Sequence, residues 1–170
     1  PVWAQRHIVL GLDLQGGSYL LLGVNTEKVI DDRLTALRQE IQRAMRPEGA
    51  RERIALERLP TLDAANDRVS VTVRNAAQAE EAAKRIRDLT RGNALTGVVR
   101  FYDVVVDGAR IDIAMLDDAR TSLVNDALAD SIEVVRRRID PAGNKEVLIQ
   151  AQGADRIVVQ APGDNDPEAL

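Results

Sequence analysis

Apolar and polar residues alternate with a period of two near the start of the chain, where Ile8, Leu10, Leu12 and Leu14 interleave with Val9, Gly11, Asp13 and Gln15. That period belongs to a strand with one buried face. Gly16-Gly17 gives the backbone access to positive φ and close approach, so a bulge or sharp bend is expected there, and a second strand resumes over Tyr19–Val24. The period then changes to that of a helix. Ile30, Leu34, Leu37, Ile41 and Met45 recur at helical spacing, Asn25 or Thr26 supplies the cap, and Pro47 and Gly49 stop the helix near Arg46.

Ile54 and Leu56 suggest a short strand, and Val69, Val71 and Val73 alternate with Ser70, Thr72 and Arg74 in a clearer one, with Pro60–Asp67 read as a polar turn between them. Asn75 and Gln78 imitate a capping box for a helix whose inner face, Ala79, Ala82, Ala83, Ile86 and Leu89, is small enough to lie close on a sheet; Gly92-Asn93 closes it. Val98–Val106 reads as a strand that returns through Asp107-Gly108, the strongest short hairpin signal in the chain, to Ile111, Ile113 and Met115. A third helix starts near Asp117-Asp118, carries Val124, Leu128, Ile132, Val135 and Ile139 on one face, and stops at Asp140-Pro141 and Gly143. Strands at Val147–Gln152 and Arg156–Ala161 follow.

From Tyr19 to Val106 the elements run β-α-β-β-α-β, the order of a ferredoxin-like split βαβ unit. If Ile8–Leu14 pairs with the last two strands, the remainder reads β-(insert)-α-β-β, the first portion of a second such unit. The expected architecture is therefore α+β: an inserted lobe, 18–116, within an outer or base lobe, 1–17 and 117–170. Asp164-Asn165-Asp166-Pro167-Glu168 carries a helix-start signal with two residues after it. The outer lobe is expected to be truncated at its C-terminal side, with an unpaired sheet edge, and to be the less stable of the two.

Composition narrows the chemistry. Hydrophobic residues make up 45% of the 170, enough for a core, while aromatic residues make up 2%, namely Trp3, Tyr19, Phe101 and Tyr102. Base stacking on aromatic platforms is thereby disfavoured, and a net charge of −4 offers no general attraction to phosphate backbones, so nucleic acid is not an expected partner. With no cysteine there is neither a disulfide frame nor a thiolate metal site, and His7 alone makes no histidine cluster. No run approaches the roughly 20 apolar residues of a spanning helix.

Each candidate site has a plain structural counterpart. A phosphate loop at Gly16-Gly17 would need a helix N-terminus and a Lys-Ser/Thr pair or G-x-G-x-x-G spacing, none of which follows. Gly11, Asp13, Gln15, Gly16 and Gly17 are accordingly read as a structural motif. Asp31-Asp32 suits the first turns of a helix better than a metal, because neighbours on a helix do not face one another. Asp13, Asp103, Asp112 and Asp140 lack a nucleophile motif or an activating histidine, so no catalytic residue is assigned. Arg136, Arg137 and Arg138 fit the C-terminal end of a helix dipole, with docking to an acidic partner or to anionic headgroups as the functional reading. Trp3 is either a membrane-interface anchor or a packing residue of the base.

Two stretches carry a family resemblance. LGLDLQGGSYLLL, from Leu10 to Leu22, resembles the opening of the first periplasmic domain of SecD, a family of subunits of the bacterial protein-export machinery. RRRIDPAGNKEVLIQAQGADRIVVQAPG, Arg136–Gly163, is similar to that family's second signature, and the two occur in the right order. The resemblance implies a segment of a longer inner-membrane protein, on the periplasmic side. It implies an accessory subunit that works with SecF, YajC and the SecYEG channel, using the proton gradient to help a translocating unfolded polypeptide emerge. The proton path would lie in membrane helices elsewhere in the parent protein, and this region would hold no cofactor or metal and catalyse no covalent reaction. The alternative is a ferredoxin-like domain that binds a small ligand or processes acyl phosphates, a fold shared by unrelated functions.

Overall fold

The computed structural model of the chain describes residues 18–46, 52–91, 100–142 and 146–161. Gly11, Asp13, Gln15, Gly16 and Gly17 lie outside the described residues, as do Trp3, His7, the strand expected at Ile8–Leu14 and the helix start at Asp164–Glu168. The chain divides into two compact units. One comprises 26–125 and is continuous; the other comprises 1–25 and 126–170.

In the continuous unit, helix α1 (Thr26–Ala44) turns Ile30, Leu34, Leu37 and Ile41 inward, as their spacing dictates. Helix α2 (Ala79–Leu89) follows a single 3-10 turn in which the Asn75 side chain accepts from the Ala77 amide, so Asn75 does cap, one turn ahead of the α-helix proper. The sheet has four antiparallel strands in the order β2 (Thr61–Asp63), β3 (Arg68–Thr72), β5 (Arg110–Met115), β4 (Tyr102–Asp107). Val69 lies opposite Ile113 and Val71 opposite Ile111, while Val104 lies opposite Ile113 from the other side. These residues form one face of the sheet and join the buried residues of α1 and α2 in one core. The small Ala79, Ala82 and Ala83 are fully covered, which lets α2 lie close to the sheet.

Two loops required particular backbone chemistry. Asp107 pairs with Arg110, leaving Gly108-Ala109 as a two-residue loop, and Gly108 has φ 57°. A glycine first in such a loop is what a II′-type hairpin demands. The Pro60–Asp67 segment, expected as a polar turn, instead contains β2 and a 3-10 turn, and ends on Asp67 in the left-handed region at φ 46°. Three residues with Leu62 as the single apolar position make no sequence pattern; pairing with β3 makes the strand. Ile54 is buried in the core, but the strand expected around it is reduced to one bridge, Leu56 to Val73.

In the other unit, a three-stranded antiparallel sheet has the order β1 (Ser18–Gly23), β7 (Arg156–Ala161), β6 (Leu148–Gln152). Leu20 lies opposite Val159 and Leu22 opposite Ile157. Helix α3 (Asp117–Ile139) contributes Leu128, Ile132, Val135 and Ile139 to the core under Ile149, Ile157 and Val159. This corrects the grouping of 18–116 as one lobe. The strand at Ser18–Gly23 pairs with β7, and the place beside β3 that a β-α-β-β-α-β order reserves for it is filled by β5. A run of leucines has no polar alternation to choose a sheet, so long-range pairing decides. The fold as a whole is mixed, with two antiparallel sheets and three α-helices among the described residues.

Candidate functional site

Three surfaces carry exposed chemistry, and each belongs to a single unit. The first is the face of the β1-β7-β6 sheet opposite α3. Antiparallel register places Tyr19 across from Gln160, Leu21 across from Val158, and Leu148 across from Gln160 on its other side, all on this face. Tyr19 is 57% exposed, Leu21 44% and Leu148 50%, so the two outer strands present apolar side chains to solvent on either side of a central strand whose Val158 is buried. Among the described residues β1 is also the outermost strand of its sheet, with one edge unpaired.

The second surface is the last turn of α3. Arg136, Arg137 and Arg138 are all exposed; Arg137 pairs with Glu133 one turn earlier, and the Arg136 carbonyl accepts from the Asp140 amide at 2.8 Å as the helix closes. Asp117 and Asp118 stand in the first turn of the same helix. Charge is thus distributed along α3 as its dipole favours, and the cluster remains available to an acidic partner.

The third surface was not legible beforehand. Arg87 and Arg91 at the end of α2, with Arg100 just before β4, line a cavity of about 450 Å³ whose floor includes Tyr102 and Val104. Arg91 and Arg100 face each other across an isolated antiparallel bridge. Arg87 Nη1 lies 3.7 Å from Glu80, and Arg100 is tied to Asp103 and donates through Nε to the Tyr102 carbonyl at 3.1 Å. Tyr102 itself is buried. Burial pushes its phenol above the ordinary value, with the Arg33 guanidinium on α1 acting in the opposite direction.

The carboxylates considered for acid/base work are brought partly together and then neutralised. Asp103 and Asp112 share one face of neighbouring strands, since Asp103 lies opposite Ala114 and Asp112 opposite Val105. Each is held by its own arginine, Arg100 and Arg110. Partial burial pushes Asp112 up, but the Ser70 hydroxyl, donating at 2.5 Å, and Arg110 outweigh it and hold the group below the usual carboxylate value. It is therefore a poor proton donor at neutral pH. Asp140 belongs to the other unit, and Asp13 is outside the described residues. No group of three or more His, Cys, Asp or Glu side chains suited to a metal occurs among the described residues. No helix among them is long and apolar enough to cross a membrane.

Comparison with known proteins gives these surfaces a context. Residues 128–170 match the family described as "Protein translocase subunit SecDF, P1 domain, N-terminal". The protein translocase subunit SecD of Acetobacter pasteurianus is 36% identical over 168 residues, which take in 99% of this chain and 30% of that protein. SecD of Rhodobacter capsulatus is 30% identical over 173 residues, 100% of this chain and 30% of that protein. SecD of Pseudomonas aeruginosa is 30% identical over 174 residues, covering 98% of this chain and 26% of its own length. The likeness therefore runs through both units, although the family profile covers only the second. These matches define the chain as a piece of a protein translocase subunit. It belongs to the SecD family, and it spans about 30% of the length of the relatives it matches.

Proposed function

We propose that this chain is a periplasmic part of the SecD accessory subunit of the Sec translocase and that it contacts the polypeptide emerging on that side. The observation that carries the reading is the likeness to SecD over practically the whole chain, at 36% identity in the Acetobacter protein. The exposed side chains of Tyr19, Leu21 and Leu148 support it, because an unfolded chain offers apolar side chains without a fixed sequence. SecF, YajC and the SecYEG channel are the partners this role implies, with the proton gradient used by membrane helices elsewhere in the parent protein. The region supplies a scaffold and a contact surface and performs no covalent chemistry.

The topology supports a pair of ferredoxin-like lobes in altered form. The continuous unit runs α-β-β-α-β-β with sheet order β2-β3-β5-β4, which is what a split βαβ unit becomes when its first strand is moved to the end of the chain. The other unit runs β-α-β-β with order β1-β7-β6, the first three strands of the same plan. In this reading 26–125 is a lobe inserted into the base.

The test is photo-crosslinking in the whole SecD protein, with a reactive residue at Tyr19, Leu21, Leu148, Arg136 or Arg138 and a stalled export substrate. Crosslinks at Tyr19, Leu21 and Leu148 are expected. Their absence from every exposed face of both units would overturn the contact role.

A further inference from the structure

Arg91 and Arg100 occupy directly opposed positions on an antiparallel bridge. Like charges so placed destabilise a pairing, and a local conflict of this kind is retained where a third group resolves it. Arg87 converges on the same cavity. Two of the three guanidinium groups already have a carboxylate, Glu80 for Arg87 and Asp103 for Arg100, whereas Arg91 has no ion pair with another described residue. Among the described residues the lining and its ion-pair partners therefore carry an excess of about one positive charge, which suits one singly charged anion. A doubly charged phosphate fits less well, because one of its two negative charges would exceed the positive excess of the lining. The lining also includes Val104, an apolar residue, and Tyr102. An aliphatic stem ending in a carboxylate matches both parts of the lining.

We infer that the cavity ringed by Arg87, Arg91 and Arg100 receives an acidic side chain, Asp or Glu, carried on an unfolded polypeptide. The inference rests on the reading that this chain contacts exported polypeptides, and it adds a local preference to a contact otherwise blind to sequence. The carboxylate sits between Arg91 and Arg100 as a bidentate partner, relieving their opposition, and its methylene stem lies over Val104. Arg87 and Arg100 are half-exposed or more, so the interaction is modest in strength and sensitive to salt.

The direct test uses the full 170-residue chain and a fluorescein-labelled flexible peptide containing Glu, compared with the same peptide in which every Glu is Gln. Binding of the Glu peptide is expected to be about tenfold tighter, the scale of one charge pair, and to weaken as salt is raised. R91E should abolish that difference and R91Q should reduce it, with unchanged circular dichroism showing that both variants fold. Equal binding of the two peptides, or indifference to R91E and R91Q, overturns the proposal. So does capture by phosphatidylglycerol vesicles, or competition by inorganic phosphate at concentrations below those of the peptide, because either would make this a phosphate site. In the whole protein, R91E should lose crosslinks to acidic stretches of a stalled substrate and keep those to neutral ones. If it keeps both, the cavity has no such role while the polypeptide contact stands; if the unaltered protein gives no crosslinks at all, it is the wider reading that fails.

Discussion

The Arg85 guanidinium donates to the main-chain carbonyl of Glu52 at 2.9 Å and approaches that of Ala44 at 3.5 Å, joining the end of α1 to the strand-like segment that resumes after it. Its Nε donates to Glu81 one turn earlier on α2, also at 2.9 Å. Only 9% of the side chain is exposed, so a charge sits on the buried face of α2 among Ala82, Ala83 and Ile86 with its donors engaged. Removing it leaves carbonyls without partners and a gap in the core. R85A is expected to destabilise the 26–125 unit by about 2–3 kcal/mol, the scale of charge-assisted hydrogen bonds. Urea unfolding followed at Tyr102 measures it, and a change under about 0.5 kcal/mol, as for an ordinary surface substitution, would contradict it.

Gly108 offers a cleaner test of backbone demand. A Cβ there would meet nothing within 4 Å, so a substituted side chain has space and the sole obstacle is the φ of 57°. G108V should cost about 1–2 kcal/mol through left-handed strain alone, and a D-alanine introduced by semisynthesis should cost little. Equal losses for both would mean that contacts, rather than φ, fix the loop.

Acid stability should report on Asp112. Its folded-state pKa lies below the unfolded value, so the stability it contributes is present above about pH 4 and is lost as pH falls through the lowered pKa. D112N and the unaltered chain should therefore differ by a constant amount at neutral pH and converge below about pH 4. A difference that persists unchanged into acid would show that the Ser70 hydrogen bond, rather than the charge, matters.

The two units should also differ in hydrogen exchange. The core of 26–125 contains the fully buried Leu34, Leu37, Ile41, Val69, Ile86, Ile111 and Ile113, whereas the core described in the other unit rests on Leu128, Ile149, Ile157 and Val159. Amides of β6 and β7 are expected to exchange faster than those of β3 and β5. Equal protection would place the two units in one cooperative transition.

How far the sequence could be read follows from which contacts are local. The α1 stripe, the Asn75 cap, the hairpin at Gly108 and the α3 helix with its terminal charges all depend on neighbours in the chain, and they stand close to where periodicity puts them. β1 is a strand where the pattern puts it, but its sheet could not be read, because its leucines suit any sheet and its partner β7 is distant in the chain. β2 carries almost no pattern of its own. The arginine cavity escaped for a similar reason, since Arg91 and Arg100 are brought face to face by a bridge that no spacing rule anticipates. Arg85 left a clue in being a charge at an apolar position of α2, at the spacing of Ala82 and Ile86.

The pairing of β1 with β7 has a consequence for synthesis on the ribosome. β1, carrying Tyr19, Leu20 and Leu21, emerges well before β7, its only partner strand in the described structure, because the whole 26–125 unit is made between them. Throughout the interval an adhesive leucine-rich strand waits in the nascent chain, a hazard for mispairing between growing molecules. The continuous 26–125 unit can fold meanwhile, and by doing so it turns a long floppy loop into a compact knot of fixed dimensions, lowering the entropy still to be lost when β7 arrives. Destabilising that inserted unit would then slow the maturation of a sheet in which it supplies no strand.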